Sequence, residues 1–137
     1  MPPDIPLEVD FCIICDDIRQ EVSGKFLLIG VYTNDITVSA GHPALNVAAA
    51  INLKAKAAGS YSFRVRGRFE GATIAEIEAR SVYAEPSTTF GSLEMQLLGL
   101  RRSGMLSIEV KLAPDRDWEE VRALPVIVRS AGETGAA

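Results

Sequence analysis

Apolar and polar residues alternate with a period of two along most of this chain, the pattern of strands that bury one face. In "PLEVDFCIIC" (residues 6–15), Leu7, Val9, Phe11 and Ile13 fall on one side and Glu8, Asp10 and Cys12 on the other. "SYSFRVRGRF" (60–69) sets Tyr61, Phe63, Val65 and Phe69 against Arg64, Arg66 and Arg68. "TIAEIEARSVYAEP" (73–86) is ambiguous: Thr73 and Glu76 have helix-capping spacing, yet Ile77, Ala79, Ser81 and Tyr83 alternate with Glu76, Glu78 and Arg80. Between strand-like neighbours and tight turns it reads as a strand. The alanines of residues 44–59 favour helix, but Val47, Ile51 and Leu53 break the helical spacing and predict a strand. Further strands are predicted over 25–32, 90–100, 105–112 and 118–128.

The punctuation fits strands. Ser23–Gly24 suits a hairpin turn, and "EGAT", "RRSG" and "APDRD" mark later turns. Gly30, inside "KFLLIGVY", marks a bulge or a close backbone approach. Pro125 cannot donate to a ladder, which suggests an edge position or a bulge. About eight short strands at spacings of roughly 8–12 residues predict an all-β fold, an antiparallel β-sandwich of immunoglobulin-like or C2-like kind. Residues 1–130 are expected to form one domain and 131–137, small and polar, a flexible tail.

Composition changes this picture little. The chain has 137 residues, 47% hydrophobic and 23% charged, enough for one folded core and too apolar for disorder. Its net charge is −4 and its basic residues are scattered, so no nucleic-acid partner is expected. Arg64, Arg66 and Arg68 share one strand face, which reads as a solvated face rather than a phosphate-binding stripe. No secretory leader and no run approaching the roughly 20 apolar residues of a membrane span is visible, so the expected location is the cytoplasm, with no membrane partner.

The candidate chemistry is sparse. Cys12 and Cys15 form C-x-x-C, but three strand steps separate them by about 10 Å and turn them to opposite faces. They read as structural thiols. His42 is the only histidine, in a turn-like loop, with no serine or cysteine nucleophile motif beside it. Asp16, Asp17, Asn34, Asp35, Asp115 and Asp117 could supply a calcium site only if several segments converged. With a turn at Ser23–Gly24, Asp16 and Asp17 sit beside Ile29 and Gly30. Asp35 then falls near Phe11, some 15 Å away, too far for one shared ion. No phosphate loop or dinucleotide motif occurs. Trp118 and Tyr83 read as packing residues. No cofactor, no metal and no catalytic residue is expected.

One resemblance adds to this. Phe11, Cys15, Asp16, Gly24, Lys25, Leu28, Ile29, Gly30, Val31 and Tyr32 form the pattern F-x-x-x-C-D, G-K, L-I-G-V-Y. This resembles the N-terminal hairpin of an uncharacterised family of small bacterial all-β proteins. The resemblance implies a sandwich fold and no activity. The expectation is therefore a non-enzymatic β-sandwich that binds a protein partner or itself, as a homodimer. Asp16, Asp17, Gly24, Lys25, Gly30 and Asp35 mark the structural or interaction hairpin. Ile14 and Leu98 are expected to remain exposed as apolar contact residues. The alternatives are a structural subunit of a phage or other large assembly and, behind it, a metal-dependent or carbohydrate-acting enzyme whose carboxylates would have to converge in a pocket.

Overall fold

The computed structural model describes residues 6–41 and 44–129, so the expected C-terminal tail and His42 lie outside the described residues. Nine strands run through it: β1 (Leu7–Gln20), β2 (Phe26–Val31), β3 (Ile36–Ser39), β4 (Ala44–Ala55), β5 (Gly59–Phe69), β6 (Ala72–Tyr83), β7 (Ser87–Leu98), β8 (Gly104–Lys111) and β9 (Glu119–Arg129). They form a four-stranded sheet in the order β2-β1-β4-β7 and a five-stranded sheet in the order β3-β9-β8-β5-β6. The protein is an all-β sandwich. The ambiguous segment is β6, and its Tyr83 is buried as the alternation requires.

The expected count of eight misses β3. This strand has only four residues, and it pairs in parallel with β9, the one departure from antiparallel order among the described strands. A short strand whose partner lies some ninety positions away leaves no local signal. Pro125 is on neither an edge nor a bulge. β9 is an interior strand, and the proline sits one residue before its ladder with β3 begins at Val126.

The core lies between the sheets. Ile14, Ala49, Leu106, Ile108, Val110 and Val126 are fully buried there, joined by Leu7, Val47, Phe63, Val65 and Leu124. β1 departs from simple alternation. Val9 faces Leu53 and Phe11 faces Asn52, so one extra residue, Asp10, bulges, and the Asn52 amide donates to its carboxylate at 3.1 Å. That extra residue shifts the phase. Leu7 and Val9 point inward, then Cys12 and Ile14 do, while Phe11 and Ile13 turn outward. The expectation that Phe11 and Ile13 share the core face with Leu7 is corrected, and so is the expected exposure of Ile14. Leu98 is exposed as expected.

Register also shows that the β1–β2 hairpin is folded over. Phe11 and Phe90 flank Asn52 on β4, so the three lie level on one outer face. Phe26 pairs with Gln20, nine residues further along β1, about 30 Å away on a straight strand. Yet the Phe26 ring stacks on Phe90 with centroids 4.1 Å apart, and Phe11 lies 6.4 Å from the same ring. Only a hairpin bent back across the outer face of the four-stranded sheet satisfies both facts. The bend accounts for β4, whose Ala48 and Ala50 point outward and are nevertheless buried, as is Cys15 beside them.

Candidate functional site

The bend is built from the residues that the sequence pattern singles out. Cys15 pairs with Val31 and Asp17 with Ile29, placing Asp16 across from Gly30 as expected. Gly30 has a φ of +69°, a left-handed conformation that favours glycine. The Asp16 carboxylate packs directly against its Cα, in space that any Cβ would occupy. The Tyr32 hydroxyl donates a hydrogen bond to the same carboxylate, and the Tyr32 amide donates to the Ile14 carbonyl at 2.9 Å. Asp16, Gly30 and Tyr32 are thus one elbow. Burial, reinforced by the neighbouring Asp16 carboxylate, pushes the Tyr32 hydroxyl up to about 12.

Beyond the elbow the hairpin has two faces. By strand alternation Ile18, Phe26 and Leu28 share one face, and opposite Cys15, Asp17 and Arg19 on the other stand Leu27, Ile29 and Val31. These last three are 46%, 44% and 47% exposed. Asp17 and Arg19 flank them on β1 as an exposed ion pair at 2.9 Å, in which the Arg19 hydrogen bond holds the Asp17 carboxyl below its ordinary value. The turn closes where expected: Gly24 has a φ of +94°, its amide donates to the Glu21 carbonyl at 2.9 Å, and Glu21 donates to the Lys25 carbonyl at 2.7 Å. Lys25 itself is exposed.

Asp35 does not join this group. The chain leaves the first sheet after Val31 and crosses to the second, where Asp35 stands just ahead of β3 and accepts from the Thr37 hydroxyl at 3.3 Å. The expected position near Phe11 assumed that the hairpin ran on along the same sheet. Asp115 and Asp117 lie on the β8–β9 loop, around a surface hollow of about 690 Å³ shared with the Glu8–Lys56 ion pair and Trp118. Among the described residues no three His, Cys, Asp or Glu side chains gather as a metal ion would need. Also among the described residues, no helix is long and apolar enough to cross a membrane.

The cysteines take opposite faces, as their spacing implies. Cys12 packs inward, where burial pushes its thiol up to about 12 despite the pull of Arg122. Cys15 is buried outward beneath the hairpin, and burial again raises its pKa. A thiol held protonated is a poor nucleophile and a poor metal ligand.

The arginine stripe behaves as an anchored surface. On the outer face of the five-stranded sheet, Arg66 pairs with Glu109 at 2.6 Å, Arg68 approaches the same carboxylate at 3.7 Å, and Arg64 pairs with Glu76. The Arg66 guanidinium also lies 3.9 Å from the centre of the Trp118 ring, a cation–π contact, with Arg64 at 5.3 Å. Trp118 thus packs on charge, not in the core. With two acids and an aromatic ring engaged, little of this stripe's charge is left for a phosphate backbone.

No family model matches the chain, and no curated protein is similar to it.

Proposed function

We propose that this protein is a non-catalytic β-sandwich that pairs with a second copy of itself through the outer face and free edge of the β1–β2 hairpin. The observation that carries this reading is the row Leu27, Ile29 and Val31, each nearly half exposed on β2, which is hydrogen-bonded to a neighbour on one side only. An apolar strand with an unpaired edge is a surface that folded proteins otherwise protect with charge, proline or a covering loop. β2 carries none of these.

A second copy is the occupant that fits best. An identical strand related by a two-fold axis satisfies the same unpaired N–H and C=O groups in antiparallel order. Together with the rim of Phe26, the exposed apolar area is on the order of 350 Å² per copy, a patch size that is often functional on a monomer. Doubled and joined by the polar edge, it approaches the low end of specific interfaces, which points to a reversible dimer.

Sedimentation equilibrium from low to high micromolar concentration tests this. The wild-type chain is expected to pass from monomer to dimer, and Ile29→Lys and Leu27→Lys are expected to stay monomeric with their circular dichroism unchanged. A wild-type chain that is monomeric at every concentration overturns the reading.

A further inference from the structure

A second opening lies on the opposite side of the sandwich, where β6 and β7, the outermost strands of the two sheets, face each other. Here the inward-facing positions are small. Register places Ile77, Ala79 and Ser81 of β6 and Thr89 and Gly91 of β7 on the core side of their strands. In a closed sandwich such positions carry large side chains that meet across the gap. In this one Ile77 is 38% exposed although it points inward, and a Cβ placed on Gly91 would find nothing within 4 Å. The result is a slot of about 220 Å³ whose floor is the core itself, Ile51, Leu53, Phe63 and Val65.

The slot is bounded at both ends. At one end Tyr61 and Tyr83 pack with centroids 5.8 Å apart, and Tyr83 accepts a hydrogen bond from the Thr89 hydroxyl at 2.6 Å. At the other, the Met95 side chain fills the space over Gly67, beside Ile74. From Ser81 to Ile77 the slot runs four strand steps, about 13 Å. No acidic or basic side chain lines it, and the side-chain polar groups on the core side of its strands are the hydroxyls of Ser81 and Thr89. An apolar cavity of ~150 Å³ already admits a benzene-sized guest and stays dry without one. This one is larger, elongated and open to the surface.

We propose that the β6–β7 slot binds an unbranched alkyl chain of about seven or eight carbons, taking a methylene group to fill the ~30 Å³ that one water occupies in the liquid. The chain lies along the strands over Leu53 and Val65, and its polar end emerges at the Ser81 and Thr89 hydroxyls. The uncharged lining excludes a charged group from the slot itself. A free fatty acid or alcohol and the acyl chain of a lipid present the same chemistry.

The test is displacement of the fluorescent probe N-phenyl-1-naphthylamine from the full chain by 1-octanol, octanoic acid and dioctanoyl phosphatidylcholine below its micelle concentration. Saturable displacement by at least one of the three is expected, and the arms that succeed identify the source of the chain. Gly91→Leu fills the slot from a position with room for the side chain, so binding is expected to fall at least tenfold while the melting temperature is kept. Ala79→Leu serves if that variant does not fold. In the wild-type chain, methyl resonances of Ile77, Leu53 and Val65 are expected to shift on adding 1-octanol. Failure of all three ligands, unchanged affinity in a folded slot variant, or shifts at Leu27 and Ile29 of the hairpin instead, would each overturn the assignment.

Discussion

The two sheets present opposite solutions to the problem of an outer face. That of the five-stranded sheet is charged: Arg64, Arg66 and Arg68 are held by Glu76, Glu109 and Trp118, and water does the rest. That of the four-stranded sheet is small and apolar, with Ala48, Ala50 and Cys15 at its centre, and the chain covers it with its own hairpin. The difference teaches what the hairpin is for. Covering the alanines brings Phe26 onto Phe90 and leaves Leu27, Ile29 and Val31 nearly half exposed. The alanines are buried while the β2 row keeps part of its apolar area in water, and that row is the proposed contact.

The comparison breaks most severely if the covered face is made to look like the charged one. Ala50→Lys places an unpaired ammonium under the hairpin and is expected to cost about 3 kcal/mol or more, measured by urea denaturation. Next is the elbow. Gly30→Ala meets both the left-handed backbone and the Asp16 carboxylate, and an expected loss of about 2–3 kcal/mol combines left-handed strain with the broken Tyr32–Asp16 bond. Faster proteolysis within residues 21–25 would show that the hairpin has lifted. A stability within experimental error of wild type would mean that the elbow does not hold the hairpin down.

On the charged face, Glu109→Gln leaves Arg66 and Arg68 without their shared carboxylate. With both partners only about one-fifth exposed, the expected cost is about 1–2 kcal/mol. Added salt should shrink the difference. The smallest effect concerns alkaline pH. The Tyr32 hydroxyl titrates near 12 in the folded chain and near 10 when unfolded, so its contribution is complete below pH 10 and is lost as the pH rises towards 12. Absorbance titration should show a tyrosine ionising late, towards pH 12. In Asp16→Asn that late step should move down only in part, because burial is the larger cause.

Much of this architecture was legible in the chain. Alternation located eight of the nine strands, the turns at Gly24 and at Glu70–Gly71, and the arginine stripe of β5, because each depends on neighbours a few residues apart. It also placed Asp16 across from Gly30, since a hairpin's register follows from its turn. The faces of β1 were misread for a local reason with no local signature. Asp10 looks like any outward polar residue, and only pairing with β4 makes it a bulge that reverses everything after it. The slot between β6 and β7 was illegible as well, because small residues at inward positions read as weak strand rather than as empty space.

By itself, then, the sequence determined that this is a sandwich of short strands and where its hairpin turns. Tertiary structure decided that the hairpin folds over the sheet, that Asp16, Gly30 and Tyr32 form its elbow, that Asp35 leaves for the other sheet, and that one side stays open to the core. The physical reason is range. Strand pattern and turn chemistry are set by backbone preferences over a few residues, whereas bend, crossing and cavity depend on which distant side chains meet and on how much volume they fill.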